Sequence, residues 1–112
     1  GATGLPTGPL PIRVRDPEVW WTAEELDRRL VALRTAHPDA IRLFRAGRTG
    51  MGRPIPGFVA GRGKKCLALV GAVHAGEAGA ELMVHAVDRL LAEEPSLVER
   101  VRVACLPVVN LD

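Results

Sequence analysis

Two uninterrupted apolar stretches, separated by an amphipathic helix pattern, constrain the fold of this chain more than any other feature. The first is CLALVGAV at residues 66–73, and the second lies in VRVACLPVV at residues 101–109. Apolar runs that do not alternate with polar residues are typical of strands buried on both faces of a parallel sheet. A helix pattern over residues 77–91 lies between them, so we predict a strand–helix–strand unit with two parallel strands.

The helix predicted between the two runs has an apolar side and a polar side. Its apolar positions recur at the spacing of one helix face: Ala80, Met83, Val84, Val87, Leu90 and Leu91. Glu81, His85 and Asp88 fall on the opposite side, so we expect their side chains to face solvent. Pro95 follows and should end the helix, because proline lacks the N–H that a continuing helix needs.

The chain has two cysteines, and each lies inside one of the apolar runs. We therefore expect Cys66 and Cys105 to be buried free thiols. Two cysteines do not make the disulfide framework of a small secreted domain. A cysteine-based zinc site would need closely spaced pairs of cysteines, and the sequence has none.

Upstream of these strands, the sequence predicts an irregular lead-in, a helix and a hairpin. Residues 1–19 hold four of the nine prolines and have no apolar period. Thr22 and Glu25 have the spacing of a capping box, and the leucines that follow recur at helical spacing. Two short runs, residues 41–45 and 55–60, flank the turn sequence TGMG and predict an antiparallel hairpin. Two prolines at the start of the second run indicate that this strand either lies at an edge or begins late.

Four polar residues follow the two predicted parallel strands. His74 and Glu77 come after the first strand, and Asn110 and Asp112 come after the second. Because functional groups collect at the carboxyl ends of strands in open α/β sheets, we expect these side chains to lie near one another. Imidazole and carboxylate are both zinc ligands. The His-x-x-Glu pair therefore indicates either half of a metal site or a structural strand-end histidine followed by a helix-start glutamate.

Several stretches occur in the order in which they occur in one enzyme family. The chain resembles the N-terminal part of the zinc carboxypeptidases of the M14 type. GAVHAGEAGAEL at residues 71–82 is similar to the family's His-x-x-Glu zinc motif after a buried strand. IRLFRAGRTGMGRPIPGFVAG is similar to the Gly-Arg hairpin that precedes that strand, and the helix before it also matches. VRVACLPVVNLD is similar to the strand end that carries P-x-x-N-P-D-G.

The resemblance implies an α/β fold in which residues 20–112 form the first part of a zinc-carboxypeptidase-like catalytic domain. It implies that His74 and Glu77 are two of the three protein ligands of one zinc ion, and that Asn110 and Asp112 shape the cleft. The third ligand, the glutamate base and the substrate-binding arginine are expected outside this chain. The parent protein would hydrolyse peptide bonds with a zinc-activated water, whereas this chain alone would be inactive and could associate with itself through an exposed sheet edge.

Some aspects of function stay open under this resemblance. Leu111 replaces the family's usual proline, so the local backbone geometry there is not fixed by the resemblance. Gly76 stands where digestive carboxypeptidases have a substrate-binding arginine, so the substrate class is open. A zinc amide hydrolase of the same architecture, acting on small acylated amino acids, is one alternative. A non-catalytic α/β module, in which His74 is structural, is another.

Composition bears on the remaining classes of partner. The formal net charge is +2, and the basic residues form no tract, so we expect no nucleic-acid binding. No apolar run approaches the roughly 20 residues that a membrane-spanning helix needs. The first residues lack the charged-then-apolar order of a signal peptide, and no compartment is predicted.

Overall fold

The computed structural model describes residues 21–74 and 77–112. Along the chain the elements are α1 (Ala23–Ala36), β1 (Ile41–Arg48), β2 (Pro54–Ala60), β3 (Lys65–Val70), α2 (Gly79–Glu93), α3 (Leu97–Arg100) and β4 (Val101–Leu106). The strands form one mixed sheet in the order β1-β2-β4-β3. This confirms the predicted hairpin followed by a parallel strand–helix–strand unit. The irregular lead-in predicted for residues 1–19 lies outside the described residues.

Helix α1 begins and ends where the sequence predicts. The Thr22 side chain accepts a hydrogen bond from the Glu25 N–H at 3.1 Å, and the helix ends two residues before Pro38, where an α conformation is disfavoured. The Glu25 carboxylate instead binds Arg28 and Arg29. Only one half of the predicted capping box is therefore present, the hydrogen bond that the Thr22 side chain accepts. The leucine stripe is buried: Leu26, Leu30 and Leu33.

The hairpin of β1 and β2 is antiparallel, as predicted. The expectation that β2 lies at an edge or begins late is wrong, because β2 begins at Pro54 and lies between β1 and β4. Only Phe58–Ala60 of β2 pairs with β4, however. The half of β2 that contains Pro54 and Pro56 therefore has β1 as its one partner among the described residues, which is where a strand tolerates proline.

The core lies between the helices and one face of the sheet. Helix residues and sheet residues of this cluster are buried together: Leu26, Leu30, Leu33, Ala80, Val84, Val87 and Leu91 with Ile41, Phe58, Ala60 and Cys105. By the strand registers, the four sheet residues all project from the same face. Phe44 and Val70 project from the other face and are exposed. Within residues 21–74 and 77–112, both long helices thus pack on a single face.

Strand β3 does not have the environment that its sequence predicts. It pairs in parallel with β4 and is one of the two edge strands of the described sheet, opposite β1. Leu67 is 57% exposed and Val70 55% exposed, so the expectation of a strand buried on both faces is wrong for these residues. The reason is that apolar composition reports what a strand can bury, whereas its actual burial depends on which elements cover it.

The two cysteines differ in environment. Cys105 is a buried free thiol, as expected, whereas Cys66 is exposed because it lies on the edge strand. Cys66 is in register with Arg102, and Cys105 with Leu69, so the two thiols lie three register positions apart and project from opposite faces. None of the described helices combines the length and the apolar character needed to cross a membrane.

Candidate metal centre

His74 and Glu77 lie in the segment that connects β3 to α2. Strand β3 ends at Val70 and α2 begins at Gly79, so both residues belong to the connection. The prediction that Glu77 opens the helix is therefore wrong by two residues. The Glu77 N–H donates to the His74 carbonyl at 3.4 Å. Residues 75 and 76 between them lie outside the described residues, including the Gly76 position that departs from the family pattern.

The side chains of His74 and Glu77 meet. His74 Nδ1 lies 2.6 Å from Glu77 Oε1, a short hydrogen bond between an imidazole and a carboxylate. The His74 side chain is 85% exposed and that of Glu77 is 47% exposed, so a solute can reach both. The structure thus brings together the pair that the sequence singled out.

The pair fits two corners of a zinc coordination sphere. With zinc–ligand distances of about 2.0–2.2 Å and tetrahedral angles, two ligand atoms on one ion lie about 3.3–3.5 Å apart. The observed 2.6 Å therefore needs to open by roughly 1 Å or less for an ion to replace the shared proton. Among residues 21–74 and 77–112, no group of three His, Cys, Asp or Glu side chains could hold a metal ion. An ion at this pair would therefore find two candidate ligands and no third within the described part of the chain.

A groove of about 480 Å³ lies beside this pair. It is lined by polar and charged residues that include Glu77, Glu81, Arg53, Asn110 and Asp112. Three of the four predicted site residues therefore share one surface, and the fourth, His74, is joined to it through Glu77. Carboxylates outnumber the one guanidinium in this set, so the described wall is acidic.

Asn110 and Asp112 reach the groove because the sheet pairing continues beyond the strands. The Gly71 N–H donates to the Leu106 carbonyl at 2.8 Å, and the Asn110 N–H donates to the Ala72 carbonyl at 3.2 Å. The segments that leave β3 and β4 are thereby held side by side. This is the convergence at the carboxyl edge of the sheet that the sequence predicts.

Asp112 also binds the turn of the hairpin. Its carboxylate accepts hydrogen bonds from Thr49 Oγ1 at 2.8 Å and from the Met51 N–H at 3.1 Å. Arg53 donates to the Leu111 carbonyl at 3.1 Å, and its Nε lies 4.0 Å from the Asp112 carboxylate. One wall of the groove is therefore built from two segments about sixty residues apart.

Glu81 lines the groove, and its solvent exposure differs from the prediction made from the sequence. It was expected on the solvent side of α2, but only 9% of it is exposed. Oε1 accepts the Trp21 N–H at 2.7 Å, whereas Oε2 is buried and has no partner within the described residues. The Trp21 ring packs against Arg29 and His85. Helix periodicity could not reveal this contact, because the donor is a main-chain group sixty positions away.

The buried cysteine is not a candidate ligand. Burial raises the pKa of the Cys105 thiol to about 12, so the thiol is neutral at pH 7. Metal binding and nucleophilic attack both need the thiolate. The chemistry of this region therefore rests on imidazole and carboxylate groups.

Comparison with known proteins identifies the architecture. The family model described as zinc carboxypeptidase (Peptidase_M14) matches residues 26–112. A metallo-carboxypeptidase from Burkholderia cenocepacia is 25% identical over 82% of this chain, with a TM-score of 0.68. A metallo-carboxypeptidase from Pseudomonas aeruginosa, solved with (2-guanidinoethylmercapto)succinic acid, is 22% identical over 82% of this chain, with a TM-score of 0.69.

A third solved structure extends the comparison to animals. Bovine thrombin-activatable fibrinolysis inhibitor, solved with tick carboxypeptidase inhibitor, is 18% identical over 85% of this chain, with a TM-score of 0.69. This chain covers 27%, 26% and 32% of the Burkholderia, Pseudomonas and bovine chains, respectively. It therefore spans between a quarter and a third of their length. No curated protein sequence gives a significant match.

Proposed function

Because this chain belongs to the zinc carboxypeptidase family, we propose that residues 20–112 are the N-terminal part of a zinc-dependent metallocarboxypeptidase catalytic domain. The parent protein would hydrolyse peptide bonds. The observation that carries the proposal is the 2.6 Å contact between His74 Nδ1 and Glu77 Oε1, within the His-x-x-Glu pattern of a chain that matches this family.

The uncovered sheet supports the view that the domain is incomplete. The family members compared above are about three times as long as this chain. The edge strand β3 is apolar yet exposed, and Phe44 and Val70 lie on a sheet face that no described helix covers. Apolar strands of this kind are usually buried by helices on both faces, so the rest of a larger domain is the natural cover for this surface.

In the proposed site, His74 and Glu77 would hold the ion, and a third ligand would come from elsewhere in the parent protein. A bound zinc ion supplies Lewis acidity, which polarises a carbonyl and lowers the pKa of a bound water toward about 7. The imidazole of His74 binds metal only in its neutral form, and the carboxylate of Glu77 only when ionised.

The other residues of the groove would shape the substrate site. The Asn110 main chain is fixed to Ala72, and the Asp112 side chain is fixed to the hairpin turn. We assign both residues to the cleft wall, with no direct part in bond cleavage. The bound molecule in the Pseudomonas structure carries a guanidino group and a succinic acid, so a peptide or an amino-acid-like substrate is the class to test first.

Calorimetric titration of zinc into this chain tests the half-site. The wild-type chain should bind zinc weakly, and a His74→Ala/Glu77→Ala variant should lose that binding. A His85→Ala/Glu94→Ala variant is the matched control, since it removes one exposed histidine and one exposed glutamate elsewhere on the chain. Equal binding by all three proteins would leave His74 as a structural residue and would favour the non-catalytic alternative. Peptidase activity should be negligible in this chain even with zinc.

A further inference from the structure

The two ends of the segment that carries His74 and Glu77 touch each other through their main chains. A Cβ atom placed on Gly79 would lie 2.6 Å from the Ala72 nitrogen and 2.9 Å from the Gly71 Cα. Real Cβ atoms essentially never approach main-chain atoms so closely. The first residue of α2 therefore packs directly on the residues that follow β3, and only glycine leaves room for this contact.

The β3 side of this contact is itself fixed. A Cβ atom on Gly71 would lie 2.5 Å from the Pro107 carbonyl oxygen, and the Gly71 carbonyl accepts the Val109 N–H at 3.2 Å. Ala72 is 4% exposed and has a φ of +44°, a conformation that residues other than glycine rarely adopt. Hydrogen bonds and packing from the exit of β4 thus hold the backbone where the connection begins.

We propose that the contact of Gly79 with Gly71 and Ala72, named here the backbone closure, positions the His74–Glu77 pair for metal binding. In this view Gly79 is a positioning residue and touches neither the metal nor the substrate. The inference rests on the proposed function, because that proposal supplies the metal. The contact of Gly79 with Gly71 and Ala72 is present in the structure without metal. His74 and Glu77 both lie between the two ends of the closure, so a change in the separation of those ends alters where the two side chains meet.

The test compares Gly79→Ala with the wild-type chain by two NMR measurements. Without metal, long-range ¹H–¹⁵N spectra report the hydrogen bond at His74 Nδ1 in each protein. With Co²⁺, paramagnetic broadening of the imidazole signals reports which histidine binds, with His37 and His85 as internal references. The variant should lose the Nδ1 hydrogen-bond signature, and its midpoint Co²⁺ concentration at His74 should rise about tenfold or more, as for losses of supporting contacts around metal ligands.

A glycine in the hairpin turn provides the matched control. A Cβ atom on Gly50 would meet only Asp112 Oδ2, at 3.9 Å, which is an ordinary contact, so Gly50→Ala should match the wild type in both measurements. A folded Gly79→Ala protein with the wild-type signature and midpoint would overturn the proposal. If Gly79→Ala does not fold, Pro107→Ala decides the matter, since it removes a buried ring from the β4 exit on which Gly71 packs and adds no bulk. An unchanged midpoint and signature in Pro107→Ala would overturn the proposal as well.

The two proposals can fail separately. If Co²⁺ fails to broaden His74 in the wild-type chain, while the Nδ1 signature is present and is lost in the closure variant, the metal centre is wrong and the positioning role stands. If Co²⁺ broadens His74 equally in the wild type and in the closure variant, the metal centre stands and the positioning role is wrong.

Discussion

The Asp112 carboxylate accepts a hydrogen bond from Thr49 Oγ1 at 2.8 Å, across sixty-three positions of the chain. The same carboxylate accepts the Met51 N–H. These contacts join the turn between β1 and β2 to the segment that leaves β4, and they hold Asp112 where it lines the groove beside Glu77.

Replacement of Asp112 by alanine should destabilise the chain by about 1–2 kcal/mol, because two hydrogen bonds to a partly exposed carboxylate are lost. Urea unfolding measures this change. Glu94→Ala, which removes an exposed carboxylate at the end of α2, should change stability by no more than about 0.5 kcal/mol. Equal stabilities for the two variants would mean that Asp112 does not hold the turn.

Glu81 variants should separate the hydrogen bond of this residue from its charge. Glu81→Gln keeps an acceptor for the Trp21 N–H and removes a buried charge, so its free energy of unfolding should equal or exceed that of the wild type. Glu81→Ala leaves that N–H without its acceptor and should cost about 1–3 kcal/mol. Thermal unfolding followed by circular dichroism distinguishes the two. A Gln variant as unstable as the Ala variant would show that the ionised carboxylate itself is required.

The buried thiol of Cys105 predicts a loss of stability at alkaline pH. Burial raises the pKa of the folded-state thiol from 9.0 to about 12. The unfolded chain therefore loses this proton at a lower pH than the folded chain. The stabilising contribution is complete below about pH 9 and declines as the pH rises from 9 toward 12.

Urea unfolding at several pH values between 8 and 11 measures this loss, with Cys105→Ala as the control that lacks the titrating group. The wild type should lose more stability than the control over this range. A thiol reagent at pH 8 should modify the exposed Cys66 rapidly and Cys105 only after unfolding. Parallel pH curves for the two proteins would contradict the role assigned to the thiol.

The exposed edge of β3 should promote self-association of this chain. Val70→Lys places a charge on the edge strand, which opposes pairing with a second strand, so it should shift the sedimentation profile toward monomer at high protein concentration. Met51→Lys adds the same charge at an exposed turn residue away from this edge and should leave the profile unchanged. A wild-type chain that stays monomeric at the highest concentration tested would contradict this prediction.

Elements that depend on neighbours in sequence could be predicted from the sequence. The spacing of Leu26, Leu30 and Leu33 located α1, Pro38 marked its end, and the apolar runs around α2 located the parallel strands. The contact between His74 and Glu77 could be predicted because the two residues are only three positions apart at a strand exit. This short separation leaves their side chains little freedom to lie far from each other. Each of these relationships is set within a few residues or by the strand order.

Features that depend on distant partners could not be predicted. The burial of Glu81 depends on the Trp21 N–H, and the exposure of Cys66 depends on which elements lie beside β3. The groove also needs both Arg53 and Asp112, which separate elements supply. Local patterns record what a side chain prefers, and only the assembled structure determines which neighbours it meets.

The strand order has a consequence for how the sheet assembles. Within the described residues, β3 pairs only with β4, and β4 is also the second neighbour of β2. The hairpin can form from local contacts, but β3 has no place in the sheet before β4 arrives, more than thirty residues later along the chain. A nascent chain shortened before Val101 would therefore hold a hairpin and α1, with β3 outside the sheet. Late, long-range pairing of this kind slows folding, and the docking of β4 is the step that completes the sheet.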